Sequence, residues 1–462
     1  MPGLNPTLKI DNARCILTVG SERRIIQNGA IVVAGQRISH VGKAADLADV
    51  VAERTIDASD LLVTPAFVNA HMHVSYAHAV RGIFPDDFVG QERLVEVFRL
   101  QSLMTEEEEY DTSLLAITEL LKSGTVCFLD PGSTKYLDAS LQVYQDSGCR
   151  IVTGQSLIDG PDDRALPRYS TEQALARTER TIRAYDHRLN DRVRAWAMPF
   201  SNDSCSLDLL VGCKRLADEL GTGLTLHHSS GDTRRDASLA EHGLGPTQLL
   251  EAQGVLGPNV LLAHATGIDD GEVACIARTG ASVVICPVTV AKEAGGIKDR
   301  KLPELLEQGV NVAIGSDSAN SSNHLDTIRA MNMAAVAFKD ARQSVSVVPA
   351  EQALEVATLL GARALGLGDE IGSIEVGKKA DLVLFDTRRA EWAALFNPVN
   401  NLVYNADGRS VHTVVADGRV VVEAGRPLFV DERRLTERVQ AIGEALLARA
   451  GVARPLSRWP VT

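Results

Sequence analysis

From residue 63 to 365 short apolar runs alternate with helix-patterned ones, and no other feature of this chain restricts its fold so far. The runs fall at 65–70 (PAFVNA), 124–129 (GTVCFL), 150–155 (RIVTGQ), 193–199 (VRAWAMP), 223–228 (GLTLHH), 260–265 (VLLAHA), 281–287 (ASVVICP) and 311–316 (NVAIGS). Helical stretches separate them, among them SLLAITELLKSG and DDGEVACIARTG, each closed by a glycine that stops a helix. Eight alternating βα units in about 300 residues are what a (β/α)8 barrel needs; an open doubly wound sheet rarely contains so many. The two ends of the chain differ in texture. Residues 7–62 read as short strands broken by turns, and the same pattern returns at 372–386 and 410–428, so the ends are expected to pair into one smaller β domain. The expected organisation is α/β: a TIM-like barrel at 63–365, a β domain from 1–62 and 366–432, and a helical tail at 433–462 that carries TERVQAIGEALLARAG.

Composition narrows the partners. With 462 residues, 45% of them hydrophobic, the chain is long enough for a large barrel and a second domain. A formal charge of -13 with no basic stripe excludes nucleic acid and anionic membrane, both of which require a basic face. The amino-terminal MPGLNPTLKIDNARC lacks a secretory pattern and no apolar run approaches a membrane span, so a cytoplasmic location is expected. The seven cysteines form no C-x-x-C and are read as reduced, buried thiols.

In a parallel barrel, chemistry sits at the carboxyl ends of the strands. Only 11 histidines occur in the chain, and several fall at such ends. His71 and His73, in VNAHMHV, follow the first run; His227 and His228 end the fifth; His264 ends the sixth; Asp317 follows the eighth. Alternation lets only one of His227 and His228 point inward, and the phase favours His227. Any one of these residues could be a buried polar group satisfied by hydrogen bonds. Their joint placement at strand ends is what an ion requires. Neutral imidazoles with one carboxylate suit one divalent transition metal ion, zinc foremost, with cobalt, manganese and iron also accepted. The long stretch at 71–123, which includes Tyr76 and Phe84, is expected to supply a lid or pocket wall.

The runs PAFVNAHMHVSYAHAVRG, GLTLHH, LLAHATGIDDGEV, SVVICPVTV and NVAIGSDSANSSNHLD, with GSIEVGKKADLVLFD in the outer lobe, resemble the amidohydrolase superfamily, in particular its cytosine-deaminase-like branch with the triazine hydrolases. The resemblance implies a metal-dependent (β/α)8 barrel with a composite β-sandwich, a small-molecule substrate and a homo-oligomer. Carried over by position, it makes His71, His73, His227 and Asp317 the metal ligands, Asp317 also the general base, and His264 the histidine that contacts substrate. Two departures stand out. AWAMPFSND lacks the strand-four lysine of two-metal members, which favours a single ion. The branch also places a glutamate three residues after the strand-five histidine, where this chain has Ser230. Serine does not exchange protons near neutral pH. The reading that follows is hydrolysis of an amide-like bond in a urea, carbamate, thiocarbamate or amide, similar to the molinate and phenylurea hydrolases. The alternatives are a deaminase or dechlorinase of a nitrogen heterocycle (triazine, purine or pyrimidine) and a catalytically silent scaffold. His228, Ser230, Tyr76, Phe84 and Phe128 are the residues expected to line the substrate pocket.

Overall fold

A computed structural model describes residues 5–75, 78–88, 90–161, 166–229, 232–452 and 459. The eight apolar runs form eight parallel strands: β1 (Phe67–Asn69), β2 (Thr125–Leu129), β3 (Arg150–Thr153), β4 (Val193–Ala195), β5 (Leu224–His228), β6 (Val260–His264), β7 (Ser282–Ile285) and β8 (Val312–Ile314). Two four-stranded sheets, one holding β1 to β4 and the other β5 to β8, meet at both edges. Parallel bridges Ala197–Leu224 and Ser201–His227 join β4 to β5. On the other side the Ala70 amide donates to the Ile314 carbonyl at 2.8 Å, closing β8 onto β1. A closed barrel leaves no sheet edge.

Side-chain alternation divides the apolar residues into two layers. Val68, Ala70, Cys127, Leu129, Val152, Leu261, Ala263, Val284 and Ala313 pack inside the barrel, with Leu365, Leu367 and Ile371 filling its floor. Phe67, Phe128, Ile151, Leu262, Val283 and Val312 face outward into the helical shell. Phe128 is therefore not part of a substrate pocket, contrary to expectation. Its neighbours Cys127 and Leu129 point inward, so the pleat turns the phenyl ring out, where it is fully buried.

The ends of the chain share one nine-stranded sheet. Its seam is the antiparallel pair Leu61–Pro65 with Leu382–Asp386, and Leu61–Pro65 runs after one residue into β1. Arg150, at the start of β3, fastens this sheet to the barrel: its guanidinium lies 3.1 Å from Asp381 Oδ2 and 3.2 Å from Asp417 Oδ1, all three side chains being buried. The helix Glu432–Ala450 docks on the helices Gly90–Ser102 and Glu106–Lys122, with Leu435, Val439 and Leu446 buried. No helix among the described residues is long and apolar enough to cross a membrane. All seven cysteines are free and buried.

Candidate metal centre

The carboxyl ends of β1, β5, β6 and β8 bring His71, His73, His227, His264 and Asp317 together. His71, His73 and His227 each present a ring nitrogen within 4.8 Å of the others. Asp317 Oδ1 lies 3.5 Å from His73 Nε2 and 3.9 Å from His71 Nε2. The His264 ring is centred 4.8 Å from that of His71 and 5.5 Å from that of His227.

Backbone bonds to both neighbouring strands fix the first two histidines. The Met72 amide donates to the Leu129 carbonyl and the Asp317 amide to the His71 carbonyl, each at 2.9 Å. Asn69 and Ser316 bridge the same two strand ends reciprocally: Asn69 Nδ2 donates to Ser316 Oγ at 2.8 Å, and the Ser316 amide donates to Asn69 Oδ1 at 3.1 Å. His227 continues the inward phase of Thr225, and its Nδ1 donates to the Phe200 carbonyl at 2.7 Å, which leaves Nε2 as the donor for an ion. His264 follows inward-facing Ala263, so simple alternation would aim it at the helices. A left-handed backbone at His264 (φ 74°), continued at Ala265 (φ 47°), turns its side chain into the site; Asp317 is held in the same region at φ 62°. Such conformations cost a non-glycine residue roughly 1–3 kcal/mol and gather where function requires them.

The electrostatics match a cation site. Burial, reinforced by the neighbouring imidazoles, holds His71 well below the usual histidine range and brings His227 down to about 3; burial also lowers His264. Burial pushes the Asp317 carboxyl up, but the hydrogen bond from His73 and the surrounding imidazoles outweigh it and hold the group well below the usual carboxylate range. The result is neutral imidazoles at His71, His227 and His264 beside an ionised carboxylate, the protonation state in which these groups ligate a metal. Both ring nitrogens of fully buried His71 lack a hydrogen-bond partner. An orphaned buried imidazole is costly unless an ion takes its lone pair. The donor set fits one divalent transition ion.

A cavity of about 550 Å³ opens onto this cluster, lined by His73, His227, His264 and Asp317 on its floor and by Leu94, Val97, Phe98 and Phe200 on its sides. A smaller chamber of about 220 Å³ shares His73, His227, Phe98 and Phe200 as its wall. Among the described residues, the helix Gly90–Ser102 supplies much of the wall through Arg93, Leu94, Val97 and Phe98. Phe84 lies elsewhere: its ring is centred 5.3 Å from that of Phe88, and it packs beside Val80, Leu100 and Leu446. His228 faces away from the cavity, its Nε2 2.9 Å from Thr247 Oγ1, because its neighbour His227 occupies the inward phase. Tyr76 and Ser230 lie outside the described residues. Sequence reasoning missed Arg93, Asp203 and Glu293, which line the cavity, and Cys286, which sits beside His71 and His264. Arg93 pairs with Glu293 across the mouth. Only Cys286, near the carboxyl end of the run at 281–287, carried a positional signal, and it was read as one buried thiol among seven.

Comparison with known proteins agrees with this fold. The chain is 33% identical over 433 residues to the 5-methylthioadenosine/S-adenosylhomocysteine deaminase of Syntrophobacter fumaroxidans, covering 93% of this chain and 96% of the relative. Among solved structures, an adenosine deaminase from Xanthomonas campestris with bound zinc superposes with a TM-score of 0.88 at 27% identity, covering 97% of this chain and all of that one. The zinc complex of atrazine chlorohydrolase from Arthrobacter aurescens shares the fold at a TM-score of 0.87 and 23% identity, over 95% of this chain and 100% of that one. Residues 62–421 match the model of the amidohydrolase family. With the barrel closed, its strand-end donors converged and the match spanning most of its length, the chain belongs to the amidohydrolase family.

Proposed function

We propose that this protein is a metal-dependent hydrolase that removes the exocyclic amine of a nitrogen heterocycle of nucleoside type, with one divalent ion held by His71, His73, His227 and Asp317. The likeness to a methylthioadenosine-type deaminase over 93% of the chain carries this reading. The alternative drawn from the sequence thus has more support than the urea or carbamate reading, which has no counterpart among these relatives.

A divalent ion held by His71, His73, His227 and Asp317 would supply Lewis acidity and make water acidic enough to furnish hydroxide near neutral pH. Asp317 accepts the proton of the attacking water and passes it to the departing amine, so the carbon–nitrogen bond breaks as the carbon–oxygen bond is kept. His264 holds a hydrogen bond to the heteroatom on which negative charge develops, a role worth several kcal/mol in a water-excluded site. Phe98 and Phe200 offer apolar faces to a planar ring. With Ser230 in the usual glutamate position, the ring nitrogen needs another proton donor; among the described residues Asp203 is the carboxylate for that role, since Glu293, which also lines the cavity, is paired with Arg93.

Ser230 also favours a second reading, hydrolysis of a urea, carbamate, thiocarbamate or amide. There Asp317 alone handles the proton and no ring nitrogen is protonated. Zinc-loaded protein incubated separately with 5-methylthioadenosine, aminotriazines, phenylureas and thiocarbamates distinguishes the two. Ammonia from the adenosine compound is the expected result. Amine or thiol from the ureas or thiocarbamates, with no ammonia from any heterocycle, replaces the first reading by the second, and no turnover of any class overturns both.

A further inference from the structure

We propose that an open cleft beside the mouth of the metal cavity is a second ligand site, one that takes a small organic phosphate. The cleft holds about 580 Å³, far more than a lone ion fills and within the range of small-molecule pockets. It is lined by Val288 and Lys292 from the helix Pro287–Lys292, by Arg329 and Met333 from the helix Thr327–Arg342, and by His324 and Tyr404.

Its charge is the argument. The chain as a whole carries -13, yet no carboxylate lines this cleft, and its charged side chains are a lysine and an arginine. The carboxylate that precedes Arg329 on its own helix, Asp326, is engaged by the amides of Ile328 and Gly408, at 2.9 Å each. Lys292 donates to an uncharged partner, Asn323 Oδ1. His324 is 9% exposed, and its Nδ1 is buried without a hydrogen-bond partner. Burial, with Arg329 beside it, holds that imidazole below the usual histidine range. Guanidinium and ammonium thus share one cleft without a counter-charge, an arrangement that a dianion relieves. A guanidinium forks onto two phosphate oxygens while an ammonium acts as a point charge; a monocarboxylate would answer only one of the two cations. Val288, Met333 and the Tyr404 ring offer apolar surface to the organic part of the ligand.

The cleft adjoins the mouth through the chain itself. Lys292 precedes Glu293, and Ser322, which also lines the cleft, follows Ser321. Glu293 and Ser321 are the two side chains that Arg93 reaches across the metal cavity. A phosphate held by Lys292 therefore bears on the segments that shape the mouth, and its role is that of an effector. The effector role rests on the proposed removal of an amine from a nucleoside-type substrate; the site itself does not.

Titration calorimetry of the zinc-loaded full-length protein with phenyl phosphate tests the site without any substrate. One molecule should bind at low salt, inorganic phosphate should bind at least tenfold more weakly, and benzyl alcohol should not bind. Arg329→Ala and Lys292→Ala, both melting like wild type, should each weaken phenyl phosphate at least tenfold, with Arg329→Lys in between. No binding at millimolar phenyl phosphate, or binding by both alanine variants equal to wild type, overturns the site; inorganic phosphate binding as tightly as phenyl phosphate overturns the organic ligand. With 5-methylthioadenosine, saturating phenyl phosphate should change KM at least threefold in wild type and leave that of Arg329→Ala unchanged. The same change in both overturns the effector role and leaves the site standing. Absence of turnover removes the functional reading and the effector role with it, while calorimetry still decides the site.

Discussion

At the scale of single residues, the site is a balance between burial and charge. His71 and His227 stay neutral because burial penalises their charged forms, and Asp317 stays ionised because imidazoles surround it. Asp317→Asn keeps the shape and removes the proton acceptor together with the anionic donor. We expect kcat/KM to fall by about 10²–10⁴-fold, bound metal to drop below one equivalent and melting to change little, as read by kinetics, elemental analysis and calorimetry. Unchanged turnover in that variant would remove Asp317 from the chemistry. The histidine pair HMH and the aspartate of GSDSAN were legible in the sequence because each follows an apolar run. His264 was legible as well, although alternation alone would have pointed it outward; a positive φ, which no residue pattern announces at a histidine, turned it in. Phe128 was misplaced because it alternates with inward-facing Cys127 and Leu129, and Phe84 because it lies between β1 and the helix Gly90–Ser102, where it packs against Phe88.

At the scale of elements, the segments after β1 and β7 meet across the cavity through Arg93 and Glu293. Arg93 is 7% exposed and also reaches Ser321 Oγ at 3.4 Å. Arg93→Ala should raise KM about tenfold with kcat within a few-fold of wild type, because the pair shapes the mouth rather than the reacting centre. A collapse of kcat at constant KM would instead place the pair in the chemistry. Two further loop histidines set a pH response. Burial brings His78 and His324 each down to about 4, against about 6.5 in the unfolded chain, so between those values the unfolded state binds more protons. Stability should therefore be full above about pH 6.5 and fall as pH drops toward 4, by roughly 1–2 kcal/mol per histidine at pH 5. Urea midpoints at pH 7 and pH 5 measure it. A His78→Phe, His324→Leu double variant should lose part of that dependence, the rest coming from the other histidines that burial lowers, His71, His227, His228 and His264, and a wild-type midpoint insensitive to pH would contradict the assignment.

At the scale of the whole molecule, barrel and sheet are locked by a buried charge cluster. Arg150 pairs with both Asp381 and Asp417, and the Asp417 amide donates to Asp381 Oδ1 at 2.6 Å. Arg150→Met leaves Asp381 buried without its cation and Asp417 with Lys379 alone, 3.6 Å away, and should cost about 3–5 kcal/mol in urea unfolding, while the folded fraction keeps its metal. A loss below 1 kcal/mol would show that the seam is held by apolar packing alone. Nothing in the sequence linked residues 150, 381 and 417, which lie on separate elements. By itself the sequence determined the number and order of the βα units, the pairing of the two ends and the strand ends where the candidate ligands stand, because apolar periodicity and turn residues are local properties. Only the tertiary structure decided which of two adjacent side chains faces the cavity, which cysteine of seven lies beside the histidines, and how the mouth is built. Those outcomes depend on backbone twist, strand closure and contacts between residues hundreds of positions apart, which a linear pattern does not encode.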